Sequence, residues 1–109
     1  MASEVFGVSH TAGVTNSESV LINGVNGHTY VILSIMVCET AGAAETFDLY
    51  IDDGGGGTDY EIYSDQALAA NATFEHTSKL VIVDEDHLCA ATASSANVDI
   101  VVSYLDQTR

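Results

Sequence analysis

The apolar residues of this chain fall in short runs with the two-residue period of β-strands, and this pattern limits the fold more than any other feature. The clearest run is Thr46–Asp52. Its Phe47, Leu49 and Ile51 share one face, and polar residues share the other. Helical periodicity is hard to find. Gln66–Ala72 contains good helix formers but is short, so we expect a loop or at most one helical turn there. The chain is therefore predicted to be all-β.

Turn residues punctuate these runs roughly every 8 to 15 residues, which is the spacing typical of a sandwich or small barrel. Asn23-Gly24 and Asn26-Gly27 are strong signals for tight turns. We predict a single β-sandwich of about eight to nine short antiparallel strands over residues 1–109. Sequential hairpins and a jelly-roll order both fit. The expected strands are Val5–Thr11, Ser19–Ile22, Thr29–Glu39, Thr46–Asp52, Thr58–Ser64, Ala72–Thr77, Lys79–Val83, Leu88–Thr92 and Asn97–Leu105.

Two of these segments carry a more specific prediction. Thr29–Glu39 is apolar on both faces, so we expect a central strand that is covered above and below. Residues 1–18 contain only Glu4 and Glu18 as charged residues. They predict either an extended arm that lies along a neighbour's sheet edge or an ordinary first strand.

The charge of the chain excludes several classes of partner. Lys79 and Arg109 stand against 16 acidic residues, and the formal net charge is −14. Such a surface cannot neutralise phosphates, so we expect no binding to nucleic acid or to an anionic membrane. No run approaches the ~20 apolar residues of a membrane helix. The amino terminus lacks the basic start and apolar core of a signal peptide, which predicts synthesis in a cytosol.

Acidic turns are the weak candidates for a metal site. Asp52, Asp53 and Asp59 flank the glycines Gly54–Gly57, and hard cations such as Ca²⁺ take carboxylate oxygens. The spacing does not match the EF-hand loop, and a flexible, solvated hairpin tip is the favoured interpretation. Asp84–Asp86 is a similar acidic turn that we expect to face water.

The cysteines and histidines form no recognisable motif. Cys38 and Cys89 each lie inside an apolar run, which predicts buried, reduced thiols. Whether they pair stays open, because a disulfide needs neighbouring strands. The four histidines occur in separate segments without the spacing of a local zinc site, and we expect them at the surface. They are His10, His28, His76 and His87.

Catalytic signatures are not found in the sequence. There is no nucleophile elbow, no phosphate-binding glycine loop followed by lysine and no HExxH motif. Asp48 and Glu61 could face each other across a hairpin as a pair of catalytic carboxylates. Two exposed acids on an amphipathic hairpin are the favoured interpretation. We therefore predict that the chain is not an enzyme and uses no cofactor.

The last three strands carry short motifs beyond their apolar pattern. They are Lys79–Asp86 (KLVIVDED), Leu88–Ser95 (LCAATASS) and Val98–Leu105 (VDIVVSYL). With the runs that begin at Tyr30, they resemble the small β-sandwich virion proteins of tailed bacteriophages, in which KLVLxxGD, LxVxAS and VxVxxSYL elements close the domain. Glu85 stands where that family has glycine, which should reshape the turn without disturbing the strands. No binding residue of the family can be carried over.

This resemblance implies a capsid decoration (cement) protein that binds the outer surface of the head. It would bridge subunits of the major capsid protein, as a trimer or another small oligomer, and would be made in the cytoplasm of the host bacterium. The negative charge favours the capsid exterior, because packaged DNA makes the interior anionic. A receptor- or glycan-binding module of a tail or head fibre is the alternative. A secreted calcium-dependent domain is the least favoured hypothesis.

Overall fold

The computed structural model describes residues 3–54 and 57–109. They form a sandwich of two antiparallel sheets without a helix in the described part, so the predicted all-β sandwich is confirmed. None of the described segments is a helix long and apolar enough to span a bilayer. The strands are β1 (Ser3–Val14), β2 (Ser19–Asn23), β3 (His28–Glu39), β4 (Glu45–Asp52), β5 (Asp59–Leu68), β6 (Thr73–His76), β7 (Leu80–Val83), β8 (His87–Thr92) and β9 (Val98–Thr108).

The strands pair in a nested order. Sheet A has the order β1-β9-β3-β6, with β7 also paired to β3, and sheet B has the order β2-β8-β4-β5. The first strand therefore pairs with the last, β2 pairs with β8, and β3 pairs with both β6 and β7. The chain folds back on itself like one long hairpin whose tip joins β4 to β5. Within the described part, β4 and β5 are the consecutive strands that pair, which excludes the alternative of sequential hairpins.

The core lies between the two sheets. The alternation predicted for β4 is confirmed, because Phe47 and Leu49 are buried against sheet A and Ile51 packs beside them. Phe47 meets Phe74 of β6 edge to face, with ring centroids 5.4 Å apart. Such contacts join the two sheets at the side formed by β5 and β6. The largest fully buried aliphatic side chains are Ile32, Ile35, Leu49, Ile82, Leu88 and Ile100.

Strand β3 occupies the predicted central position but is covered on one side only. It pairs with β9 along one edge and with β6 and β7 along the other. Ile32, Ile35 and Val37 face the core. The prediction that both faces are covered is wrong, because Leu33 is 37% exposed and Met36 is 42% exposed. The sandwich has two layers, so the outer side of sheet A has no element of the described chain above it.

The segment from Gln66 differs from its sequence prediction. The predicted loop is wrong at its beginning, because β5 continues to Leu68 and pairs there with Glu45. Leu68 is 2% exposed and joins the core. The turn follows later, where Asn71 has a φ of 57°. Burial of one leucine therefore outweighs the helical preference of the neighbouring alanines.

The amino-terminal segment forms the first strand of sheet A. From Ser3 to Thr11, β1 pairs without irregularity with β9, and the register shifts only before Val14. Gly7 lies directly over the Tyr104 ring, and a Cβ at this position would come within 2.6 Å of that ring. The hydroxyl of Ser9 donates to the carbonyl of Leu21 on β2 at 2.7 Å. These contacts hold β1 against its own chain.

The two cysteines lie in different sheets and are both free. Cys89 on β8 is completely buried, as predicted, whereas Cys38 on β3 is half-buried. Burial raises the pKa of the Cys89 thiol to about 12, so this thiol stays protonated near neutral pH.

Candidate interaction faces

The outer side of sheet A carries apolar side chains in register across its strands. Phe6 on β1 pairs with Leu105 on β9. Val31 on β3 pairs with that leucine and also with Val81 on β7. Directly paired residues point to the same side of a sheet, so these four side chains form one row. Phe6 is 76% exposed and Val81 is 51% exposed, which leaves the row open to solvent.

A second apolar group extends this row along the strands. Met36 pairs with Val101, and their side chains are 42% and 37% exposed. Val8 on β1 is 51% exposed, and Leu33 lies at a register irregularity of β3. We call this surface the apolar face. Its residues are Phe6, Val8, Val31, Leu33, Met36, Val81, Val101 and Leu105.

Acidic residues on this side of sheet A lie at its margins. Glu4 is near the start of β1, Asp99 is near the start of β9, and Glu75 is on the edge strand β6. An antiparallel sheet with a free side usually turns polar residues outward. A contiguous apolar surface with a polar rim is instead typical of a site that another protein covers.

The outer side of sheet B is acidic. On β4, Asp48, Tyr50 and Asp52 alternate with the core residues, although Tyr50 is only 7% exposed and Asp52 only 6% exposed. Glu61 on β5 pairs with Tyr50, and Asp59 pairs with Asp52. We call this surface the acidic face. Its acids are Glu18, Asp48, Asp52, Asp59, Glu61 and Asp65.

Carboxylates crowd one another on the acidic face. Desolvation and then repulsion from Asp48, Asp59 and Asp65 raise the pKa of Glu61 above its ordinary value. Desolvation and then repulsion from Asp52 raise the pKa of Asp59 above its ordinary value. Like charges that perturb one another in this way share a single surface. The acidic face is therefore a strongly negative patch on the opposite side of the sandwich from the apolar face.

A tyrosine fixes the chain at one border of the acidic face. The Tyr50 hydroxyl donates to the Glu18 carboxylate, which precedes β2. Burial, followed by this hydrogen bond, raises the pKa of Tyr50 above its ordinary value. Tyr50 and the neighbouring Cys89 therefore stay protonated near neutral pH. Neither group supplies an anionic nucleophile to this face.

The residues proposed as weak metal ligands form no ligand set in the structure. Asp52 and Asp59 are paired across β4 and β5. Asp53 is exposed, and its backbone N–H donates to the Thr58 carbonyl at 3.0 Å. Among residues 3–54 and 57–109, no group of three or more His, Cys, Asp or Glu could hold a metal ion. Gly55 and Gly56, which belong to the predicted hairpin tip, lie outside the described residues.

The second acidic turn is partly used inside the fold. The carboxylate of Asp84 accepts a hydrogen bond from the Gly27 N–H at 3.0 Å and forms an ion pair with Arg109. These contacts, with the Gly27 hydrogen bond as the largest cause, lower the pKa of Asp84. Asp84 is therefore fixed to the fold by these contacts, while its side chain stays 40% exposed.

Histidines are less uniformly exposed than the sequence predicted. His76 is 6% exposed, and its Nδ1 lies 2.7 Å from the Tyr63 hydroxyl oxygen. This contact links β6 of sheet A to β5 of sheet B, so His76 has a structural position in the core. His28 is half-buried, with its Nδ1 2.8 Å from an Asp106 carboxylate oxygen.

The structure places the possible catalytic carboxylates on the same acidic face, where desolvation and then repulsion from Asp48 raise the pKa of Glu61. Glu61 lies opposite Tyr50, whereas the Asp48 carboxylate accepts the backbone N–H of Asp65 at 2.7 Å. An open groove of about 430 Å³ lies where β4 begins and β5 ends. Glu45 is the ionisable residue of its lining, and small or apolar neighbours make up most of the rest. The groove does not combine the converging polar groups that catalytic sites use.

Glu39 and Asp52 are both buried among the described residues, and the burial of Glu39 was not predicted from the sequence. Glu39 is 1% exposed at the end of β3, and its carboxylate accepts the backbone N–H groups of Ala41, Gly42, Ala43 and Asn71 at 2.8 to 3.1 Å. The Asn71 hydrogen bond is the largest cause that lowers the pKa of Glu39, against the opposing effect of desolvation. Glu39 thus fixes two loops next to the sandwich.

The fold is similar to that of solved virus and appendage proteins. A chain of the acid-stable capsid of Helicobacter pylori bacteriophage KHP30 has a TM-score of 0.63 at 9% identity, with 96% of this chain and 93% of that chain covered. A chain of the Bacillus endospore appendages, which are disulfide-linked pili, has a TM-score of 0.58 at 9% identity, with 98% and 88% covered. A chain of infectious bursal disease virus has a TM-score of 0.52 at 13% identity, with 100% of this chain matched to 32% of that chain.

No family model and no curated protein matches the chain. At identities this low, the likeness to solved structures shows a common fold and nothing finer. The chain therefore shares its architecture with structural proteins of virus particles, a phage capsid among them.

Proposed function

We propose that this chain is a bacteriophage capsid decoration (cement) protein, which binds the outer surface of the head and bridges subunits of the major capsid protein. The observation that carries this proposal is the contrast between the apolar face of sheet A and the acidic face of sheet B. Covering the apolar face with protein is favourable by about 25 cal/mol per Å² of apolar surface removed from water. The exposed acids of the acidic face, Asp59, Glu61 and Asp65 among them, stay in solvent, where their charges cost least.

The strand order supports a virion role. If β6 and β7 are counted as one interrupted strand, the two sheets have the nested order of a jelly roll. Jelly rolls occur in viral capsid domains, and also in lectins and cupins. The similarity to the KHP30 capsid chain covers nearly the whole of both chains and favours the first of these uses.

The net charge of −14 supports attachment on the outside of the head. Packaged DNA repels a protein that cannot neutralise phosphates, so the interior is unfavourable. On the exterior, acidic faces directed outward repel neighbouring particles.

The major capsid protein is the partner that we propose for the apolar face. A standard interface buries ~800 Å² on each partner, and a face that crosses the strands of a whole sheet is suited to such a contact. The small oligomer expected from the resemblance, a trimer or another one, stays a prediction.

Purified virions provide the test of this function. We expect the protein in copy numbers comparable with those of the major capsid protein on a quantitative gel. Heads assembled without it should release their DNA at a lower temperature than complete heads. Far fewer copies, together with binding to host cells or glycans, would contradict the proposal and favour the fibre module instead.

A further inference from the structure

Strand β1 is an unprotected edge of sheet A. From Ser3 to Thr11 it pairs along one side with β9, and the described chain places no strand on the other side. A free edge presents N–H and C=O groups that can pair with another strand. Proteins usually block such edges with prolines, charges, bulges or very short strands. From Ser3 to Thr11, β1 has no bulge and no proline, and its one charged residue is Glu4.

The other edges of the sandwich are protected in these ways. Strand β2 is five residues long and has a register shift between Val20 and Ile22. Strands β6 and β7 are four residues each. Strand β5 has register shifts against β4 and carries three acids, Asp59, Glu61 and Asp65. The contrast identifies β1 as the edge that is available for pairing.

Exposed apolar side chains accompany this edge. Phe6 is 76% exposed, Val5 is 60% exposed and Val8 is 51% exposed. Phe6 and Val8 belong to the apolar face, which therefore reaches the free edge instead of ending before it. A strand that joined β1 would extend the apolar face beyond this edge, where His10 is the polar residue exposed on the same side.

We propose that β1 pairs antiparallel with β1 of a second copy of this chain, about a two-fold axis near Val8. The pairing joins two sheets A edge to edge and supplies roughly one backbone hydrogen bond per paired residue. A two-fold axis of this kind is perpendicular to the sheet, so the apolar faces of both copies lie on the same side. The dimer then has an apolar face of twice the width.

The positions of the acidic residues favour pairing of two copies through β1 over pairing through β5. In an antiparallel pair centred on Val8, the two Glu4 residues are eight positions apart, or roughly 27 Å at the usual strand rise of about 3.4 Å. That distance exceeds the Debye length of ~8 Å at physiological ionic strength. Pairing through β5 would instead bring the acids of two acidic faces together.

The strand that pairs with β1 is β1 of a second copy, because a two-fold axis makes this edge complementary to itself. The two-fold axis satisfies both free edges at once, and it places Val8 of each copy opposite Val8 of the other and Phe6 opposite His10 of the other. The same contact cannot form around a three-fold axis. The inference therefore assigns a dimer, and it does not depend on attachment to a phage head.

Two matched lysine substitutions test the proposal. Val8 on β1 and Val81 on β7 are both 51% exposed on the same side of sheet A. By sedimentation equilibrium at about 100 μM, where dissociation constants up to the micromolar range give mostly dimer, we expect the full chain to be dimeric. Val8→Lys should raise the dissociation constant at least about 100-fold, because a charge at the edge opposes pairing. Val81→Lys should leave it unchanged.

Hydrogen exchange supplies the second measurement. The β1 amides that point away from β9 should be protected in the wild-type dimer and unprotected in Val8→Lys, while β9 amides stay protected in both and show that the fold is intact. A monomeric wild type, a trimer, a dimer with unprotected β1 amides, or equal dissociation of the two variants would each overturn the proposal.

Discussion

Met36→Glu is expected to weaken binding of this protein to phage heads by about 100-fold, or about 2.7 kcal/mol. Met36 lies on the central strand of sheet A and is 42% exposed within the apolar face. A carboxylate at this position would be buried without a partner when the face is covered, and that desolvation is costly. The free protein should keep its stability, because the side chain is at the surface.

Val20→Glu is the matched control for this substitution. Val20 is 43% exposed, but it lies on β2 of sheet B. Both variants gain one negative charge, so a general electrostatic effect would weaken both equally. Cosedimentation with heads assembled without the protein measures the difference. Equal loss in both variants, or a larger loss for Val20→Glu, would be incompatible with docking through sheet A.

Glu39→Gln is expected to lower the melting temperature at pH 7 by roughly 10 °C or more. The carboxylate accepts backbone N–H groups with both oxygens: Ala41 donates to Oε2, and Gly42, Ala43 and Asn71 donate to Oε1. Glutamine replaces one oxygen with an amide group that can only donate. A buried N–H group then loses its acceptor, which costs its full desolvation.

This loss should depend on pH. The backbone hydrogen bonds, that from Asn71 first, lower the pKa of Glu39 from 4.5 in the folded protein. A lowered folded-state pKa contributes stability that is complete above pH 4.5 and is lost as the pH falls through the folded value. The gap between wild type and Glu39→Gln should therefore be largest at neutral pH and shrink below pH 4.5.

Glu75→Gln is the control for the same chemical change. Glu75 is exposed on β6, so this variant should melt within about 2 °C of the wild type. Thermal unfolding of the wild type, Glu39→Gln and Glu75→Gln is followed by circular dichroism at several pH values. An unchanged Glu39→Gln melting temperature at pH 7, or a gap that persists in acid, would show that the carboxylate does not fix the two loops.

Local patterns predicted the strands because burial and turn chemistry are local properties. The alternation of Phe47, Leu49 and Ile51 identified β4 and its buried face correctly. The apolar content of β3 gave the right position within sheet A but the wrong environment for Leu33 and Met36. A strand that is covered by its own chain and a strand that is covered by a partner have the same sequence pattern.

The nested strand order and the role of Glu39 required the structure. Pairing of β1 with β9 joins the two ends of the chain, and no short-range signal encodes such a contact. A partial signal for Glu39 exists in the sequence, because this acid precedes the turn of small residues at positions 40–44. Gly42 adopts a φ of 81° there, and the free N–H groups of the turn need an acceptor.

Hydroxyl-radical footprinting of intact virions tests the docking orientation most directly. Phe6 and Met36 lie on the apolar face, whereas Tyr60 is 56% exposed on β5 of sheet B, and all three side chains react readily when accessible. In the particle, we expect Phe6 and Met36 to be protected relative to the free protein and Tyr60 to be oxidised as before. Protection of Tyr60 with undiminished oxidation of Phe6 and Met36 would contradict attachment through sheet A.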